Sequence, residues 1–128
     1  MDKLLLVALG GSVGSVARYL TGMAALRWLG PKSAWAGTLT VNLVGGLLMG
    51  LLVGWLAHRG GEDANRWSVL LGVGVLGGYT TFSAFSLDAS LMLQRRDWLV
   101  AGGYLAVSVL GSILALLFGL GVARRLFA

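Results

Sequence analysis

Gly77-Gly78-Tyr79-Thr80-Thr81-Phe82-Ser83-Ala84-Phe85-Ser86 lies inside an apolar segment, residues 67–93, that is long enough to cross a bilayer. Adjacent glycines followed by Tyr-Thr-Thr make poor helix, because glycine is conformationally free and β-branched threonine is stiff. An interrupted helix at membrane depth leaves backbone N–H and C=O groups without partners. Such a break survives where protein covers it or where it lines a polar cavity. The stretch therefore reads as a site, and the rest of the chain as its housing.

Outward from this stretch the sequence divides into apolar segments at 4–29, 35–57, 67–93 and 98–122. Each exceeds the roughly 20 residues that a membrane-spanning helix needs. Trp28, Trp35, Trp55, Trp67 and Trp98 fall near the predicted ends, as an interfacial aromatic belt requires. The connections, 30–34, 58–66 and 94–97, are too short for a soluble domain, and Pro31, the only proline, lies in the first. The reading is a single all-α, multi-pass domain over 1–128 in a cell (plasma or inner) membrane, its third span broken. The opening residues could pass for a signal peptide. The apolar run nevertheless continues through Gly10, Gly11 and Gly14 without a small-residue cleavage site, so they read as a retained first span.

Composition agrees. The chain has 128 residues, 57% of them hydrophobic and 12% charged, with a mean hydropathy of +0.84. A soluble domain carries about twice that charged fraction. Cysteine is absent, which excludes disulfides and thiolate metal sites. The net charge of +5 does not signal nucleic-acid binding, because the basic residues sit singly or in pairs at segment ends. One histidine and five acids leave little for acid–base catalysis, and there is no nucleophile–base pair, so an enzyme is not expected.

Glycine occurs 21 times and falls within the spans at helical spacing: Gly46, Gly50 and Gly54 on the second, Gly111, Ala115 and Gly119 on the fourth. Small residues four apart let helices approach closely in lipid. Lysines and arginines are nearly balanced between the two sides. The side with both termini and the second connection holds Lys3, Arg59, Arg66, Arg124 and Arg125; the other holds Arg27, Lys32, Arg95 and Arg96, and Arg18 as a fifth if it is counted there. Orientation follows the difference between these sets, so the chain is expected to insert both ways. Four spans can scarcely enclose a pore alone. An antiparallel, dual-topology homodimer about a two-fold axis in the membrane plane is the expected assembly.

The polar inventory of the spans is small. Arg18 on the first span is either a pore-mouth charge or an anchor that snorkels to the interface. Asn42 on the second must find partners, either by bonding across to another helix or by presenting its amide to an ion. Tyr104, Ser108 and Ser112 follow an i, i+4, i+8 spacing on one face of the fourth. A lone serine there bonds back to its own helix, but three hydroxyls in file make a neutral ladder that can replace an ion's water. Phe82 and Phe85 share a face beyond the break; they face either lipid or, by their positive ring edges, an anion. No acid lies in the core of a span, Asp88 being the nearest. Donors without carboxylates suit an anion, and the absence of a buried lysine suits rapid release.

These residues resemble the Fluc-type (CrcB-like) fluoride channels along the whole chain. The run 77–86 is close to that family's GGxTTFSTF signature, with Ala84 where the signature has threonine. Gly37-Thr38-Leu39-Thr40-Val41-Asn42 matches the second-span motif, and Gly10-Gly11 through Arg18-Tyr19 the first. The resemblance implies an antiparallel homodimer with two pores that exports fluoride passively. It implies that Phe82 and Phe85 line the pores, that Asn42 donates to fluoride, and that Tyr104, Ser108 and Ser112 form a polar track. It further implies a structural sodium ion at the dimer axis, held by the backbone carbonyls of Gly77 and Thr80 from both subunits, with Arg18 near a vestibule. The alternatives are a small dual-topology multidrug exporter, which needs a membrane-embedded acid that residues 4–29 lack, and a non-transporting membrane assembly subunit.

Overall fold

The computed structural model describes residues 2–128, and these form an all-helical bundle with four helical stretches long and apolar enough to cross a membrane. Helix α1 (Lys3–Leu29) starts where the Asp2 carboxylate accepts the Leu4 N–H at 3.3 Å. It ends at Gly30, whose φ of 83° turns the chain out of the helix while its N–H still reaches the Leu26 carbonyl. A single 3₁₀ turn opened by Pro31 leads into α2 (Trp35–Leu56).

The third crossing is compound. It runs through α3 (Gly61–Trp67), a π-helical stretch at Ser68–Leu76, the short α4 (Gly77–Tyr79), two extended residues, and α5 (Phe82–Gln94). Helix α6 (Trp98–Leu126) completes the bundle. Two expectations are adjusted here. The segment expected as the connection 58–66 is helical from Gly61 onward, so the third crossing begins earlier than 67. The break, expected across Gly77–Thr81, falls at the end of that stretch, on Thr80 and Thr81, while the adjacent glycines remain helical.

Packing explains that shift. Helix α1 lies against the π-helical stretch and α4 so tightly that a Cβ on Gly78 would come within 2.6 Å of the Gly11 carbonyl oxygen. A Cβ on Gly14 would overlap the Val75 carbonyl and approach the Tyr79 nitrogen at 2.8 Å. The glycines of the third crossing thus serve helix–helix approach in place of unwinding. The same logic joins α2 to α6: Gly46 faces the Ser112 carbonyl, Gly50 that of Leu116 and Gly54 the Ala123 methyl, as the four-residue spacing predicted.

The break lets the third crossing change partners. Its first half packs on α1, while α5 packs on α6 and α2. There Phe85, Ala89 and Met92 meet Ala101 and Tyr104 in a small core roofed by Trp35 and Leu39. Much of the remaining apolar surface points outward, including Leu20, Leu99, Leu114 and Phe118, as expected of helices whose solvent is lipid.

Candidate functional site

Thr80 (φ −83°, ψ 159°) and Thr81 (φ −154°, ψ 122°) are extended, a conformation that suits β-branched side chains. Extending them withdraws backbone groups from the helical ladder. Two long-range side chains take those groups up. Asn42 on α2 pairs edge to edge with the Thr81 peptide: its Nδ2 donates to the Thr81 carbonyl at 2.9 Å, and its Oδ1 accepts the Thr81 N–H at 2.9 Å. Arg18 on α1 donates from Nη1 to the Thr80 carbonyl at 3.1 Å, half-buried. The threonine side chains finish the local accounting. The Thr80 hydroxyl bonds back to the Leu76 carbonyl at 2.9 Å, and the Thr81 hydroxyl caps α5 by accepting the Ala84 N–H at 3.2 Å.

The break leaves the carbonyls of Gly77, Gly78 and Tyr79 without their helical partners, and Gly77 is the exposed residue of the three. In an uninterrupted helix the Thr81 N–H would close on the Gly77 carbonyl, but Asn42 holds it instead. The Gly77 oxygen is therefore a free hard donor, and the Thr80 oxygen keeps a second lone pair beyond the one that accepts from Arg18.

Beside the break lies a groove of about 440 Å³, lined by α2, the extended residues, the start of α5 and α6. Asn42, Thr80, Thr81, Phe82, Phe85, Ser108 and Ser112 all border it. The groove reaches the backbone at Gly45, where any Cβ would overlap the Thr80 methyl. Phe82 is 78% exposed and Phe85 only 6%, with their ring centroids 5.5 Å apart. The aromatic file continues through Tyr104, 5.3 Å from Phe85, to Trp35, 5.7 Å from Tyr104 and edge-on.

The serines are the unusual chemistry. Ser12, Thr21, Thr40 and Ser86 each bond back to the carbonyl four residues earlier, which is what a helical hydroxyl ordinarily does. Ser108 and Ser112 do not. Both hydroxyl oxygens are buried, and neither has a hydrogen-bond partner. Buried polar groups normally find one, so these are uncommitted donors and acceptors on residues that line the groove.

The structure thus gathers Asn42, Phe82, Phe85, Ser108 and Ser112 at one groove, with Thr80 at its edge. Tyr104 continues the serine file but does not line the groove; its hydroxyl donates to Asp88 Oδ2 at 3.0 Å. Arg18 reaches the break from the α1 side. Thr81 and Gly45 were not singled out from sequence. Their signals were a β-branched residue that is also the N-cap of α5, and a glycine one turn beyond the buried amide.

The sequence model of the family described as CrcB-like protein, Camphor Resistance (CrcB), matches residues 5–120. Among curated relatives, a protein of Caulobacter vibrioides is 60% identical over 128 residues, covering the whole of both chains. One of Phenylobacterium zucineum is 56% identical over 128 residues, again the whole of both. One of Mesorhizobium japonicum is 48% identical over 126 residues, covering 98% of this chain and 99% of its own. Each of the three bears the name fluoride-specific ion channel FluC. A broken third crossing held by Asn42 and Arg18, a family match over nearly the whole length and end-to-end likeness to such relatives lead to one statement: this chain belongs to the CrcB-like family.

Proposed function

We propose that this protein is a fluoride-selective channel that lets the ion leave the cytoplasm down its electrochemical gradient, lowering cytoplasmic fluoride. The observation that carries the reading is the pair of buried, unpartnered hydroxyls on Ser108 and Ser112 beside the Phe82 and Phe85 rings. Fluoride holds its water tightly, so a path must offer replacement donors before the water leaves. A serine hydroxyl already committed to its own helix offers none; these two are uncommitted. The second hydrogen of Asn42 Nδ2 is also free, because only one is used on Thr81. The positive edges of aromatic rings add weak attraction without a formal cation to trap the ion. A narrow file of such donors suits a small halide better than a large one.

The working unit in this reading is an antiparallel homodimer in the cell inner membrane. Its support is the near balance of lysine and arginine between the two sides, and a groove that one chain walls only in part. A structural sodium ion belongs to the same proposal. The freed Gly77 carbonyl and the remaining lone pair of the Thr80 carbonyl are neutral, hard oxygen donors, which fit an alkali cation. With an inverted copy contributing the same pair, they would hold the ion and tie the two breaks together. The transport itself is passive and needs no chemistry on a substrate bond.

Fluoride efflux from proteoliposomes, read with an ion-selective electrode and set against chloride, tests the proposal. Fast fluoride release with negligible chloride release is the expected result. Comparable efflux of the two halides would overturn it. Differential labelling of the termini in intact and opened cells tests the assembly: tags found on both sides fit inverted insertion, and a single orientation for all copies excludes it.

A further inference from the structure

Among the described residues the Arg18 guanidinium is the one charged side chain that bonds to the broken segment, and it bonds to a carbonyl that the sodium reading requires. We propose that Arg18 sets the charge of the cation this site accepts, restricting it to monovalent ions. The inference rests on the reading above that the Gly77 and Thr80 carbonyls hold a cation.

The argument is electrostatic. A cation on the Thr80 oxygen shares that oxygen with a guanidinium whose Nη1 lies 3.1 Å away. Their repulsion scales linearly with the charge of the ion, and an inverted copy would bring a second guanidinium to the same ion. The desolvation penalty of a buried ion rises more steeply still, with the square of its charge. Divalent sites answer both terms with carboxylates, as calcium and magnesium sites ordinarily do. Here no such answer exists: among the described residues no group of three or more His, Cys, Asp or Glu side chains lies together. Asp88, the acid nearest the break along this crossing, is turned to Tyr104. A neutral set of carbonyls under a fixed positive charge can hold a weakly demanding monovalent ion and rejects a divalent one.

The guanidinium has a second effect in the same direction. It draws electron density from the Thr80 oxygen through a charge-assisted hydrogen bond, which makes that oxygen a poorer ligand for every cation. Arg18 is therefore a positioning and selectivity residue for the structural ion; it does not touch the conducted one in this proposal.

The test follows the melting temperature of the purified full-length protein in detergent, at constant ionic strength held with an organic cation. NaCl, CaCl2 and MgCl2 are titrated separately. For wild type, sodium raises the midpoint by about 5 °C or more at a hundredfold excess over its dissociation constant, and neither divalent ion does so. R18Q, which removes the charge, gains a comparable rise with calcium. R18K, which keeps a cation, remains blind to both divalents. A co-expressed, doubly tagged pair of wild-type and R18Q chains keeps one clamp intact should the double loss prevent assembly, and it shows a calcium response between the two.

Calcium stabilising wild type as well as sodium does would overturn the inference. So would an R18Q protein or mixed pair that still answers sodium and ignores calcium. A wild type that ignores sodium altogether removes the cation reading itself, and this inference with it. Fluoride efflux measured on the same preparations separates a failure of this inference from a failure of the channel reading.

Discussion

The side-chain amide of Asn42 and the peptide of Thr81, 39 residues apart, are joined by reciprocal hydrogen bonds of 2.9 Å. One asparagine thereby substitutes for two strands of helical ladder at the point where the third crossing stops being helix. The pairing is a structural role, and it occupies only one of the two amide hydrogens.

Asn42→Ala strands both polar groups of the Thr81 peptide away from water. Each unsatisfied group costs about 1–3 kcal/mol. The variant is expected to melt several degrees below wild type in detergent and to lose fluoride flux. A melting curve that overlays wild type would show that water or another side chain does the work assigned to the amide.

Ser108→Ala and Ser112→Ala should behave in the opposite way. Neither hydroxyl makes a hydrogen bond within the chain, so its removal breaks none and relieves a desolvated polar group. Stability is expected to stay level or rise by up to about 1 kcal/mol while fluoride efflux falls. Loss of stability with unchanged flux would reverse the assignment.

The two phenylalanines are separable. Phe82 is 78% exposed and Phe85 is 6% exposed, packed on Tyr104. Phe82→Ile is expected to slow fluoride efflux by roughly tenfold or more, about 1.4 kcal/mol on the barrier, with little change in melting temperature. Phe85→Ile should slow it as much and also lower the melting temperature, because an aromatic pair worth about 0.5–1.5 kcal/mol is lost. Efflux at the wild-type rate in both variants would take the rings out of the path.

Glycines divide by what faces them. Gly14→Ala drives a methyl into the Val75 carbonyl, which is backbone and cannot swing aside. Destabilisation of about 1–3 kcal/mol is expected, or outright failure to assemble. Gly102→Ala meets nothing within 4 Å and should be neutral or gain up to about 1 kcal/mol of helix propensity. Paired thermal melts decide between the two; equal effects would mean that the α1 seam is looser than its geometry.

Much of this was legible in the chain itself. Hydrophobic length is a one-dimensional property, so four apolar helices could be counted from the chain, although the third begins at Gly61 and not at 67 and the fourth runs on to Leu126. Gly46, Gly50 and Gly54 announced the α2–α6 seam, because helical periodicity places them on one face whatever the partner. The donor-rich, acid-poor inventory that suits an anion is likewise a matter of counting. The early helix at 61–66 was hidden by its polarity, since a hydropathy window does not see a solvated turn.

What only the tertiary structure decided is where the break falls and which hydroxyls stay free. Local propensity favours unwinding at Gly77-Gly78, yet close packing of α1 on that pair keeps it helical. The unwound residues are Thr80 and Thr81, because Arg18, 62 positions away, and Asn42, 39 positions away, are placed to receive their peptides. The file of Tyr104, Ser108 and Ser112 marked Ser108 out as a candidate, but only the tertiary structure shows that Ser86 bonds to its own helix while Ser108 is held apart from any partner. Backbone hydrogen bonds must be met somewhere, and in a membrane the nearest supplier is a neighbouring helix whose position the sequence does not spell out.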